Sequence, residues 1–165
     1  IGCDIMNKKA IERIYLIKHR DKNKPFSFIC SGLKNISDYA KVSNYAYKTM
    51  KRLLPGPYTF VLEGSKLVPK IMLTKRKTAG IRVPDHPICM ALVETLGSPI
   101  LTTSATLPDG AILNDPYLIE DCFGKRLDLI IDGGTVPGEP SSVISLISDE
   151  PEVIREGLGK IDFME

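Results

Sequence analysis

The chain has 165 residues, 43% hydrophobic and 25% charged, with a formal net charge of +2; this supports one core and one domain and argues against a disordered or fibrous chain. Its longest apolar runs, such as Phe60-Val61-Leu62 and Ile130-Ile131, fall far short of the ~20 residues of a membrane span, and Cys3, Cys30, Cys89 and Cys122 form no C-x-x-C pair, which argues against a zinc knuckle or redox motif and predicts free thiols in a reducing cytoplasm. The near-neutral total conceals two halves of opposite sign: up to Arg82 there are 18 Lys and Arg against 5 Asp and Glu, and beyond it 4 against 15, so the first half can line a phosphate channel or an RNA surface, or simply present solvated faces.

In chain order, Asp4 or Asn7 is placed to cap a helix running to about His19, on which Ile11, Ile14, Tyr15 and Lys18 recur at helical spacing. Pro25 to Cys30 alternates, with Phe26, Phe28 and Cys30 on one face, and reads as a strand entered through a proline. A helix follows from about Asn44 to Leu54, stopped by Pro55-Gly56-Pro57; Tyr58 to Leu62 is a strand, Leu67 to Leu73 a short helix, and Ala79 to Val83 a strand that delivers Arg82. Asp85 is placed to cap a helix from Pro87 to Leu96, with Gly97 past its end. Pro99 to Thr103 reads as a strand, Ala105 to Pro116 as a loop, Tyr117 to Phe123 as a helix and Leu129 to Asp132 as a strand; Val143 to Leu146 and Glu152 to Arg155 close the chain as two more strands. This order predicts a single-domain mixed sheet flanked by helices, in the α/β to α+β range.

The familiar nucleotide loops, Walker A and G-x-G-x-x-G, are absent. The two histidines, His19 and His86, have no second ligand at metal spacing, and no serine stands in a G-x-S-x-G elbow, so neither a histidine-bound metal nor a hydrolase triad is expected. What remains is a set of cations and hydroxyls at element ends. Lys18 and Arg20 lie two apart beyond a helix and either converge on a polyanion or stay solvated. Arg82 shares a strand face with Gly80, whose lack of a side chain leaves room for a ligand. Ser104 follows a strand's carboxyl end, where open α/β sheets bind ligands; Thr102 and Thr103 suit an ordinary strand. Ser141 and Ser142 stand in Pro-Ser-Ser-Val, and Arg155 in Ile-Arg-Glu-Gly, with the side chain best shaped for carboxylate or phosphate.

Taken in order, Gly2-Cys3-Asp4, Lys18-x-Arg20, Lys24-Pro25, Pro55-Gly56-Pro57-x-Thr59, Ile81-Arg82-Val83-Pro84-Asp85-His86-Pro87, Thr103-Ser104-Ala105, Pro140-Ser141-Ser142-Val143 and Arg155-Glu156-Gly157 resemble the YrdC/YciO family, which includes the threonylcarbamoyl-AMP synthases. The resemblance implies a YrdC-like (RibB-like) fold, a twisted mixed sheet with a concave, positively charged cavity. It also implies a nucleotidyltransferase that joins L-threonine, bicarbonate and ATP, with Mg²⁺, into threonylcarbamoyl-AMP for tRNA modification. By motif match Lys18 and Arg20 would hold phosphates or the carbamate, Arg82 the threonine carboxylate, Ser104 a nucleotide phosphate, Ser142 the amino acid and Arg155 the nucleotide, while Thr59 matches a family position that an ordinary strand residue also explains. Two departures stand out. The substrate-lining Pro-Thr-Asp/Glu-Thr-x-Tyr-Gly string expected before Gly2 is absent, so the resemblance implies a domain over residues 1–165 lacking its N-terminal strand or helix segment. Thr106 stands where the synthases carry the asparagine of Ser-x-Asn. The segments Lys75-Arg76-Lys77-Thr78 and Ile154 to Gly159 lie nearer the YciO branch, and the alternative is accordingly a YciO-like protein that binds double-stranded RNA or tRNA with weak or no synthase activity.

Overall fold

The computed structural model describes residues 1–21, 24, 26–136 and 138–162. Seven strands form one mixed sheet in the order β1-β5-β2-β4-β3-β6-β7: β1 (Gly2–Asp4), β2 (Ser27–Ile29), β3 (Tyr58–Glu63), β4 (Thr78–Arg82), β5 (Ile100–Thr102), β6 (Ser142–Ser145) and β7 (Glu152–Arg155). Pairs β2/β4 and β3/β6 are parallel and the rest antiparallel. Five helices accompany it: α1 (Lys8–Ile17), α2 (Leu33–Tyr39), α3 (Asn44–Leu53), α4 (Pro87–Leu96) and α5 (Pro116–Phe123).

Strand alternation gives the sheet two unlike faces. Cross-strand register puts Leu101 opposite Phe28, Phe28 opposite Ile81, Ile81 opposite Phe60 and Phe60 opposite Ile144, all 0% exposed. This row crosses five adjacent strands and forms the floor of the main core. Ile11, Ile14 and Tyr15 of α1, Ile36 of α2, and Ala46 and Met50 of α3 join it in the same cluster. Each such large apolar side chain removed from water contributes about 1.5–3 kcal/mol. The opposite face carries the residues one step along each strand: Thr102, Ser27, Gly80, Arg82 and Thr59.

Local chemistry fixes the helices. Asn7 Oδ1 accepts from Ala10 N at 3.1 Å, Ser43 Oγ from Ala46 N at 3.1 Å and Asp115 Oδ1 from Tyr117 N at 2.8 Å, capping α1, α3 and α5. Pro87 and Pro116 occupy first helical turns, and Gly97 ends α4 at φ 75°, in the left-handed region open to glycine.

Several sequence expectations need correction. Leu129 to Asp132 is not a strand: Leu129 and Ile131 are exposed and the segment pairs with no strand among the described residues. Leu67 to Leu73 contains only a 3-10 turn at Lys70–Met72, which begins after Pro69, a residue unable to donate inside a helix. The N-cap of α4 is His86 rather than Asp85, and no side chain bonds the cap. β1 and α2 were not expected. Pro25, the expected entry to β2, lies outside the described residues.

Candidate functional site

Arg82 ends β4 opposite Ile29 of β2, on the face away from the core row. Its side chain makes no ion pair among the described residues, and its Nε is buried without a hydrogen-bond partner, as are Thr102 Oγ1 and His86 Nδ1. Buried polar atoms are almost always paired, so each orphan calls for a reason. Burial pushes the guanidinium pKa down; the nearby Cys89 thiol opposes this and the Arg155 charge adds to it. Arginine does not give up its proton. The result is a desolvated cation whose planar fork matches a carboxylate or phosphate.

Gly80 is packed rather than open, against the sequence expectation: a Cβ built there would lie 3.1 Å from Thr59 Cγ2 and 3.3 Å from Ser27 Cβ, so glycine is needed for these strands to approach. Ser27 is the cross-strand partner of Thr102. Thr59 opens the second group: its Oγ1 is 2.8 Å from Ser141 Oγ in a buried pair, and Arg155 donates to the Ser141 carbonyl from Nη2 at 2.7 Å and from Nε at 3.3 Å. Arg155 is therefore oriented by β6 while its charge is felt at Arg82.

Ser142, for which the motif implies a contact with the amino acid, is engaged with the backbone of residues 157–159. Fully buried, it donates to Gly159 O at 2.6 Å and accepts from Gly157 N at 2.9 Å. Leu158 N donates to Pro140 O at 2.9 Å, and Tyr58 OH to Lys160 O at 2.9 Å. These bonds strap residues 157–160 along β6, and the Ser142 hydroxyl is engaged in holding that strap.

Lys18, the C-cap of α1, sends its ammonium to Thr106, donating to the carbonyl at 2.8 Å and to the hydroxyl in a short contact. Phe123 of α5 flanks it at 5.9 Å. Burial lowers the Lys18 pKa and the Arg20 charge lowers it further. Arg20 itself turns toward Phe26, 4.8 Å from the ring centre, and donates from Nε to Lys24 O at 2.6 Å. Ser104 is exposed and accepts from Thr106 N at 3.0 Å.

The structure thus links Thr59, Ser141 and Arg155, with the Arg155 charge felt at Arg82, joins Lys18 to Thr106 in a separate group, and gives Arg20 contacts of its own with Phe26 and Lys24. Thr102 reads in the sequence as an ordinary strand residue, and His86 as a histidine without a second ligand at metal spacing. Their orphaned atoms are visible only once neighbouring strands and loops are placed. A cavity of about 350 Å³ elsewhere, along α5 and residues 127–132, is lined by none of these residues. Among the described residues no group of three His, Cys, Asp or Glu is placed to hold a metal.

The chain is similar to known proteins along most of its length. The Sua5/YciO/YrdC family, which carries the description telomere recombination, matches residues 1–157. YciO of Escherichia coli strain K12 is 45% identical over 98% of this chain and 79% of its own, and its crystal structure superposes with a TM-score of 0.91 over the same shares. A putative threonylcarbamoyl-AMP synthase of Methanocaldococcus jannaschii is 33% identical over 96% of this chain and 74% of its own. The crystal structure of P. abyssi Sua5 complexed with L-threonine superposes with a TM-score of 0.88 at 29% identity, covering 94% of this chain and 46% of that one.

Proposed function

The chain belongs to the Sua5/YciO/YrdC family, and we propose that it is a threonylcarbamoyl-AMP synthase-like nucleotidyltransferase acting on L-threonine, bicarbonate and ATP. The observation that carries this reading is Arg82: a half-buried cation whose Nε is buried and unpartnered, with no ion pair among the described residues. A free amino acid's carboxylate meets that need with two parallel N–H···O bonds. Support comes from the P. abyssi Sua5 structure that holds L-threonine.

In the proposed reaction the threonine amine and bicarbonate give a carbamate and water. A carbamate oxygen then attacks the α-phosphorus of ATP, the bond to the β-phosphate oxygen breaks, and pyrophosphate leaves. The chain's residues contribute position and charge rather than covalent chemistry. Arg82 anchors the carboxylate, Lys18 offers its ammonium to a phosphate or carbamate oxygen, and Ser104 and Arg155 contact the nucleotide. Mg²⁺ bound with the nucleotide would supply charge neutralisation of its phosphates.

A second reading, an RNA-binding protein with weak or no synthase activity, is favoured by the Thr106 substitution and by the basic first half. One experiment separates the two. Arg82→Ala should abolish threonine-dependent pyrophosphate release and leave duplex RNA binding intact. Equal loss of both would sink the assignment of Arg82 to threonine.

A further inference from the structure

Lys18 is held by three separate pieces of the chain. It ends α1 with its own N–H bonded to Ile14 O at 2.9 Å. Residues 105–113 form a small closed loop, with Leu113 N donating to Ala105 O at 2.8 Å, Leu107 N to Ala111 O at 2.8 Å and a bridge between Thr106 and Ile112. Ala105 packs with Ile17 and Phe123 in a second apolar cluster, against which Leu107, Leu113 and Ile119 lean. That cluster fixes the loop to the end of α1, so Thr106 reaches Lys18 from a rigid base rather than from a free segment.

An ammonium has three N–H donors and no acceptor. Two of Lys18's go to the Thr106 carbonyl and hydroxyl. At 5.9 Å the Phe123 ring flanks the ammonium without taking an N–H, so the third donor has no partner among the described residues. That third donor is the one left for a ligand oxygen.

We infer that Thr106 is a positioning residue for Lys18: it takes two of the three ammonium donors and aims the third at an oxyanion of phosphate chemistry. The inference deepens the synthase reading and rests on Lys18 serving that site. It also gives the threonine at position 106 a role that needs no direct contact with the nucleotide, since its hydroxyl acts through Lys18.

The test is a double-mutant cycle on binding of inorganic pyrophosphate to the full chain, read by calorimetry, alongside kcat and KM for pyrophosphate release. Thr106→Val keeps the shape and the carbonyl but removes the hydroxyl; it should weaken pyrophosphate binding about 10-fold, the effect of losing one charge-assisted hydrogen bond. Thr106→Ser should restore affinity to within about twofold of the parent, and in a Lys18→Met background Thr106→Val should add nothing. Equal cost of Thr106→Val with and without Lys18, failure of serine to rescue, or absence of pyrophosphate binding by the unaltered chain overturns the inference. The two claims fail separately. A coupled cycle without threonine-dependent release keeps the Lys18–Thr106 pairing and removes the synthase reading, whereas release with an additive cycle does the reverse.

Discussion

Replacing Ser142 by alanine distinguishes a strap-holding hydroxyl from one that touches a substrate. The side chain is fully buried, and its Oγ both donates to Gly159 O at 2.6 Å and accepts from Gly157 N at 2.9 Å. Alanine removes both bonds at once and leaves a buried carbonyl and a buried N–H unpaired. The void is a single oxygen, too small for a water to take over the bonds. Neither glycine can be crowded: a Cβ at Gly157 would lie 2.3 Å from Pro140 O, and one at Gly159 2.4 Å from the Tyr58 ring, so the strap already runs against backbone and ring. Two lost bonds with their orphaned partners amount to about 2–4 kcal/mol, which for a chain of this size lowers Tm by roughly 5–15 °C. Thermal melts followed by circular dichroism, with threonine affinity measured well below the transition, check both sides. A Tm drop under about 2 °C together with lost threonine affinity would refute the strap and return Ser142 to the amino-acid site that its motif implies.

Arg82→Met should raise Tm by about 2–4 °C while threonine binding is lost, because a desolvated cation without an anion costs the folded state and a flexible apolar side chain does not; a fall in Tm on differential scanning calorimetry would mean that the guanidinium has a structural partner. Burial pushes the Cys30 thiol up to about 12, against an ordinary 9.0. The folded chain therefore keeps a proton that the unfolded chain loses, and stability contributed below pH 9 declines as pH rises from 9 toward 12. Urea melts between pH 8 and 10.5 should show a shallower decline for Cys30→Ala than for the parent, and parallel declines would contradict this. If the basic half binds duplex RNA through about six phosphates, affinity should fall roughly 10³-fold between 50 and 200 mM salt, with threonine binding changed less than about threefold; a flat RNA response would remove the second reading.

Much of this architecture is legible along the chain because periodicity and punctuation agree. α1, α3, α4 and α5 follow their apolar spacing and their Asn, Ser, Pro and Gly signals, and β3, β4, β6 and β7 fall within a residue or two of their expected bounds. α2 escapes detection because Leu33–Tyr39 is seven residues long, contains Asn, Ser and Asp, and begins after Gly32 with no side-chain cap. β1 is three residues held by pairing with β5, a non-local cause that no window of sequence contains. Leu129 to Asp132 shows the converse error: an apolar run reads as a strand, yet without a neighbouring edge to pair with it stays exposed. In the site, Arg82 beside Gly80 was readable from two-residue spacing. That Ser142 holds a strap, that Arg155 grips Ser141, and that Lys18 reaches Thr106 all depend on contacts between distant segments.

The most direct test of the synthase reading is a pyrophosphate-release assay with ATP, Mg²⁺ and bicarbonate, with and without L-threonine, coupled to mass detection of the product. The account predicts release that depends on threonine, together with a species of the mass of threonylcarbamoyl-AMP, both absent from Arg82→Ala. A folded chain that binds ATP yet releases no pyrophosphate in the presence of threonine would contradict it.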